Sequence, residues 1–175
     1  MLKKIAVVIV IAIAAILITA AMKPDRFVVQ RSIDIKAAPE KIFPLVNDFH
    51  TWTQWSPYEK LDPNLQRSYS GAPAGIGAIY EWNGDKNVGK GRMEIIDAKQ
   101  PANIIIQLDF IEPFATHNTA EFSFAGDDNG TTVTWVMRGP SPFISKIMQV
   151  FFSMDKMIGT DFETGLANLK TIAEH

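Results

Sequence analysis

The sequence predicts an α+β domain in which an antiparallel sheet of about seven strands curls around a long C-terminal helix. Three observations predict it. Apolar residues alternate through segments between residues 78 and 137, and turn signals at Asn83-Gly84 and at Asp127 to Gly130 separate them, as in successive hairpins. After Gly139 the spacing turns helical and stays so to the end of the chain. Strands that follow one another, with the helix segregated from them, give α+β layering, and a sheet of this length is too twisted to stay flat.

The N-terminal segment stands apart. Residues 5 to 22 carry no charge and follow Lys3 and Lys4. Eighteen helical residues reach about 27 Å, within the roughly 17–25 residues that a bilayer span needs. The run is apolar on every face, which argues against a buried core helix. A cleaved signal peptide is the alternative, with Thr19, Ala20 and Ala21 as small residues for the cut. The run is longer than an ordinary signal-peptide core, so a retained anchor is the first expectation. Lys3, Lys4 and the amino terminus face Lys23, Asp25 and Arg26, which keeps the N-terminus in the cytoplasm and the rest outside it. In a bacterium the remainder then sits beyond the cytoplasmic membrane. Residues 1 to 25 are thus anchor and linker, and 26 to 175 one domain large enough to bury a core.

The domain opens with a strand. In "FVVQRSIDI", residues 27 to 35, Phe27, Val29, Ile33 and Ile35 alternate with Val28, Gln30, Ser32 and Asp34, and Arg31 is the one misfit on the apolar face. Two short helices follow. Ile42, Leu45, Val46 and Phe49 share a helical face, and Pro39 suits the first turn. Pro44 removes a backbone bond and should bend this helix. Trp52 and Trp55 come next, three residues apart on one side of a second short turn.

The hairpins can be given registers. Around Asn83-Gly84, Trp82 should oppose Gly91, Tyr80 Met93 and Ala78 Ile95. Around Asp127 to Gly130, Phe124 should oppose Val133, Phe122 Trp135 and Ala120 Met137. Each pairing sets the inner faces together, which is what fixes register. At "EPFA", residues 112 to 115, a two-residue loop would place Phe110 beside His117 and mix the faces. An odd loop or a bulge is therefore expected, with Glu112 opposite Thr116, Leu108 opposite Ala120 and Ile106 opposite Phe122. Ser141-Pro142 then starts the helical region. Residues 143 to 159 are apolar nearly all round, and Phe162, Leu166, Leu169 and Ile172 or Ala173 make the remainder amphipathic.

Charge excludes one class of partner. Without Lys3 and Lys4, 15 basic residues stand against 19 acidic ones, a balance near −4, and no Lys/Arg run occurs. Nucleic-acid binding lacks its basic footprint, and an acidic domain gains little from anionic headgroups. The absence of cysteine neither supports nor excludes an oxidising compartment.

The stretch from Val28 to Pro57 resembles the opening of the SRPBCC, or START-like, superfamily, the group of polyketide cyclases/dehydrases and lipid-transport proteins. The matching motifs are Ala38-Pro39-Glu40, Phe43 to Asp48, Trp52 and Trp55-Ser56-Pro57. Gly75 to Gly84, Gly89 to Gly91, Gly130 to Trp135 and Asp161 to Lys170 fit the same group, so the likeness covers nearly all of residues 27 to 172. The apolar N-terminus and Pro44 depart from it. The resemblance implies a helix-grip fold, a curved sheet holding the last helix around an apolar cavity.

It also implies where a ligand would lie. Trp52 and Trp55 are candidates for the mouth or end wall of that cavity. Tyr80, Trp82, Met93, Phe110, Phe122, Trp135, Met154 and Met157 are candidates for its lining. Aromatics supply apolar surface with one polar handle on Tyr and Trp, and methionines adapt in shape. Such a lining suits a small hydrophobic molecule, a lipid or a polyketide-like metabolite.

Catalytic groupings are thinner. His117, Thr119 and Glu121 share a strand face with Asp109 and Gln107 nearby, but on the outer, wet side. His50 lies beside the tryptophans and could polarise a carbonyl. "GIGAIY", residues 75 to 80, is no phosphate loop, because no strand-to-helix turn and no lysine follow; its glycines suit a tight loop over the cavity. Phe143, Ile144, Ile147, Met148, Phe151 and Phe152 read first as core and lid contacts, and otherwise as a membrane-facing portal. Nothing here asks for a cofactor or a metal, and no protein partner is indicated. The first expectation is a membrane-anchored module that carries or senses a hydrophobic ligand. The alternatives are a cyclase or dehydrase using Tyr80, His50 or a cavity carboxylate, and an interaction module like the family's co-chaperone branch.

Overall fold

A computed structural model describes residues 1–175. Its elements are α1 (Leu2–Ala21), β1 (Arg26–Ile35), α2 (Pro39–Asn47), the single turn α3 (Trp52–Trp55), β2 (Gln66–Gly71), β3 (Ala78–Asn83), β4 (Lys90–Lys99), β5 (Asn103–Glu112), β6 (Thr116–Asp127), β7 (Gly130–Pro140), α4 (Phe143–Phe151) and α5 (Met154–Ala173). Turns of 3-10 helix flank α3 at Phe49–Thr51 and Pro57–Lys60. The strands form one antiparallel sheet in the order β1-β7-β6-β5-β4-β3-β2. It is the curved seven-stranded sheet and long terminal helix of an α+β helix-grip fold, with α5 against β1 and β7.

Two hairpin registers are as the alternation requires: Tyr80 opposes Met93 and Trp82 opposes Gly91, while Phe124, Phe122 and Ala120 oppose Val133, Trp135 and Met137. The Trp82 ring lies over Gly91, where a Cβ would stand 2.2 Å from it. The β5–β6 loop is odd, but longer than expected. Phe110 opposes Thr116, Leu108 opposes Asn118 and Ile106 opposes Ala120, so the register is displaced by two residues. On the other edge of β5, Glu112 pairs with Lys90 of β4 next to an irregularity in that ladder. The faces are kept in either register, and Asn118 on the inner face is buried with an unpartnered Oδ1.

Arg31, the misfit of β1, is explained by α5. Its guanidinium reaches Asp155 at 3.0 Å and Glu163 at 2.6 Å. It fits because position 159 is glycine: a Cβ there would lie 1.9 Å from Arg31 Nη2. The inner face of β1 thus clamps the terminal helix with a charge where an apolar residue would pack.

The C-terminal helical region is broken in two. Phe152 is extended (φ −128°, ψ 141°), and the Ser153 hydroxyl accepts from the Lys156 N–H to start α5. Ser153 with Asp155 in the first turn is a standard helix start inside an apolar run. The core reading of residues 143 to 152 is also corrected. Phe143, Ile144, Met148, Phe151 and Phe152 are exposed, and the one buried residue of α4 is Lys146. Within α1 only Ala20 is buried, so that helix is not a core element. It is one N-terminal apolar helix long enough to cross a bilayer.

Candidate functional site

The tryptophan turn is built from the unfinished end of α2. A helix leaves its last carbonyls without intrahelical partners. The Trp52 indole N–H donates to the Val46 carbonyl at 3.0 Å, and the Trp55 indole N–H to the Leu45 carbonyl at 2.8 Å. Upstream, the Asp48 carboxylate accepts from the His50 N–H at 2.8 Å and turns the chain. Two buried rings therefore cap one helix and stand as a wedge between α2, the sheet and α5.

Beside that wedge the sheet and α5 enclose a cavity of about 320 Å³, at the low end of the roughly 300–1,000 Å³ usual for small-molecule sites. Sixteen of its 20 lining residues are hydrophobic, which selects an apolar occupant. Its wall includes Trp52, Tyr80, Trp82, Met93, Phe110, Trp135 and Met157. Leu61, Asn87 and Met157 are exposed lining residues and mark the rim.

Three ligand-site candidates, Trp55 of the expected end wall and Phe122 and Met154 of the expected lining, lie outside the cavity wall. Trp55 and Phe122 are fully buried, and stack with Trp135 and Phe162 into a solid aromatic block. Trp135 lies 3.8 Å from Phe162 at 8°, so it offers the cavity little more than an edge. Met154, the first residue of α5, falls outside the wall, nearly one turn before Met157.

The polar part of the wall comes from residues that the alternation pattern does not single out. Glu59 has a side chain only 5% exposed, which is rare for a carboxylate and requires partners. Its Oε1 accepts from the Tyr80 hydroxyl at 2.7 Å, and its Oε2 from Arg67 Nε at 2.5 Å. Burial first, then this carboxylate, holds the Tyr80 phenol well above its ordinary range. Tyr58 and Asp161 also line the wall, and burial raises the pKa of both. The sequence did contain signals for these. Asp161 follows Met157 by four residues on the inward stripe of α5, and Glu59 sits in the turn that Pro57 begins. Both carboxylates could orient the polar end of an apolar molecule or exchange a proton with it.

Other candidates lie apart. His117 is 84% exposed on the outer face and bonds Asp109 at 2.8 Å, as a wet strand face predicts. His50 stacks on Tyr69 at 4.2 Å and lines a separate cleft of about 150 Å³. The loop at Gly75 and Gly77, both at positive φ, bonds the end of α2 through Asn47 and does not line the large cavity.

Comparison with known proteins agrees with this architecture. The sequence profile of the family described as polyketide cyclase / dehydrase and lipid transport matches residues 26–174. No curated protein matches the chain. Among solved structures, protein CV1439 of Chromobacterium violaceum is 14% identical, with a TM-score of 0.61 over 87% of this chain and 99% of that one. The di-domain ARO/CYC StfQ of the steffimycin biosynthetic pathway is 10% identical, with a TM-score of 0.64 over 85% of this chain and 51% of that one. The Aha1 dimer of Colwellia psychrerythraea is 18% identical, with a TM-score of 0.56 over 85% and 96%. At these identities the likeness is one of fold. With a family profile matched across the whole domain, this chain belongs to the polyketide cyclase / dehydrase and lipid transport family.

Proposed function

We propose that the chain is a membrane-anchored module that carries or senses a small hydrophobic ligand, a lipid or a polyketide-like metabolite, in the cavity between the sheet and α5. The observation that carries this reading is the apolar hollow of about 320 Å³, with tyrosines and two carboxylates in its wall to orient a polar end. Trp52, Tyr80, Trp82, Met93, Phe110, Trp135 and Met157 contact the ligand, and Leu61 and Met157 border its entry. Residues 1 to 25 serve as retained anchor and linker in a bacterial cytoplasmic membrane, and the domain from 26 onward lies outside the cytoplasm.

Three of the four tryptophans, Trp52, Trp82 and Trp135, line the cavity, which supplies the assay. Titration of the full chain in lipid nanodiscs with 10-bromodecanol, a heavy-atom quencher, should quench tryptophan emission to a saturable limit. Quenching that grows linearly without saturation would mean that the probe never enters.

A second reading, cyclase or dehydrase chemistry on such a ligand, is favoured by the buried Glu59–Tyr80 pair and by Asp161, whose pKa burial raises toward acid–base use. Under it, small molecules extracted from wild-type and from Asp161→Asn or Glu59→Gln protein should differ in mass by one water. Identical extracts would remove it.

A further inference from the structure

The helix α4 is inside out for a protein bathed in water. Its exposed side carries Phe143, Ile144, Met148 and Phe151, and Phe152 continues it; Phe151 and Phe152 are 62% and 63% exposed. The polar residues turn the other way. Lys146 is buried and pairs with Asp25 in the linker, and Gln149 donates to the Ser141 hydroxyl at 2.7 Å. An amphipathic surface helix normally shows water its polar face.

The position of α4 says what covers it. It packs against α1, whose residues with reduced exposure are Ile16 and Ala20, within the last two turns. Its apolar stripe therefore continues the apolar surface of α1 at the end nearest the domain. The stripe also leads to the cavity: Met157, exposed on the rim, comes five residues after Phe152.

We propose that α4 is an interfacial helix, lying with Ile144, Met148 and Phe151 in the headgroup–acyl boundary of the bilayer that α1 crosses. It seats the cavity rim at Met157 on the lipid surface, so that the ligand enters from the membrane. A short helix with an apolar outward face, held beside a span, matches the physics of such helices. The polar residues beneath it are paired with Asp25 and Ser141, so neither Lys146 nor Gln149 has to enter lipid unpaired. The occupant is lipid in preference to a second copy or a soluble partner because the stripe is continuous with the apolar surface of α1. This proposal rests on the anchor reading of α1.

The chain has no cysteine, so single spin labels can be placed cleanly. Full-length variants Ile144→Cys, Met148→Cys and Phe151→Cys, labelled and reconstituted in phosphatidylcholine nanodiscs, are compared with Ile9→Cys in the anchor and Asp128→Cys on the far hairpin. Collisions with oxygen and with a water-soluble nickel chelate report depth. All five positions are exposed, and the unfolding midpoint of each variant checks the fold. The three α4 labels should be shielded from nickel several-fold more than position 128, and remain open to oxygen. Nickel access equal to that at position 128 overturns the proposal. So does shielding from both colliders, which means that protein covers the helix. If Ile9 lies in hydrocarbon while the α4 labels do not, this inference fails alone. If Ile9 is also open to nickel, the anchor reading falls with it.

Discussion

Ala120 is the position at which the cavity can be filled without disturbing its polar wall. It lies on the inner face of β6, opposite Ile106 on one side and Met137 on the other, and its methyl group lines the hollow. Ala120→Phe adds six ring carbons. At about 30 Å³ for each water-sized unit, the cavity of about 320 Å³ holds about ten carbon-sized groups, so the ring displaces more than half of them. Each buried CH₂ contributes about 0.8 kcal/mol, and six lost sites amount to about 5 kcal/mol, or more than three decades of affinity. A ligand that slides toward the rim recovers part of this, so a loss of at least about tenfold is the threshold. The assay is bromodecanol quenching of the cavity tryptophans, with thermal unfolding in parallel. Wild-type and variant should unfold at similar temperatures, because the ring enters space that is already empty. Unchanged affinity refutes the reasoning. So does a loss of about 1–3 kcal/mol of stability, the cost of overpacking an interior that was already full.

The remaining predictions concern the groups that hold the site. Arg67→Ala leaves Glu59 buried with an uncompensated charge and should cost about 3–5 kcal/mol in denaturant unfolding, with part restored by adding Glu59→Gln; equal loss in single and double variants would contradict the pairing. Gly159→Ala drives a methyl group into the Arg31 guanidinium, which should offset the roughly 1 kcal/mol that alanine gains over glycine inside a helix; with Arg31→Ala also present the same change should stabilise by about that amount, and equal effects in both backgrounds would contradict the clamp. Asp161 has a folded pKa raised by burial above its usual 3.8, so the folded state holds this proton more tightly than the unfolded chain. The ionised carboxylate therefore costs stability at neutral pH, and the cost disappears as pH falls through the raised value to 3.8. Asp161→Asn should accordingly gain stability over wild-type at pH 7, and the gain should shrink toward pH 3.8; parallel stability–pH curves would contradict this.

Much of the fold was legible because side-chain alternation carries register. Tyr80 opposite Met93 and Phe122 opposite Trp135 follow from placing apolar residues on one face. The displaced β5–β6 pairing was not legible, since a displacement of two residues keeps the same side chains on the inner face and alternation cannot choose between the two registers. The break before α5 was legible only in Ser153 and Asp155, two weak signals inside a strongly apolar run. Exposure of α4 could not be read from periodicity at all, because an apolar helical face looks the same whether it meets a core or a lipid surface. The site divides along similar lines. Trp82 and Met93 could be placed by strand parity, whereas Phe122 shares that parity and Trp55 the aromatic type, yet both fill the interior against Trp135. Glu59 and Asp161 were hidden by type: carboxylates read as solvated surface until Arg67 and Tyr80 are seen bonded to Glu59 and both acids are seen in the cavity wall.

The most direct test is native mass spectrometry of the full chain, released from nanodiscs without organic solvent, beside Ala120→Phe prepared identically. An occupied hydrophobic cavity predicts a discrete adduct of one small molecule on the wild-type chain, lost on mild activation and missing from the variant. A bare wild-type mass that stays bare after incubation with bromodecanol, or an adduct of equal abundance on both proteins, would contradict the claim that this hollow binds a ligand.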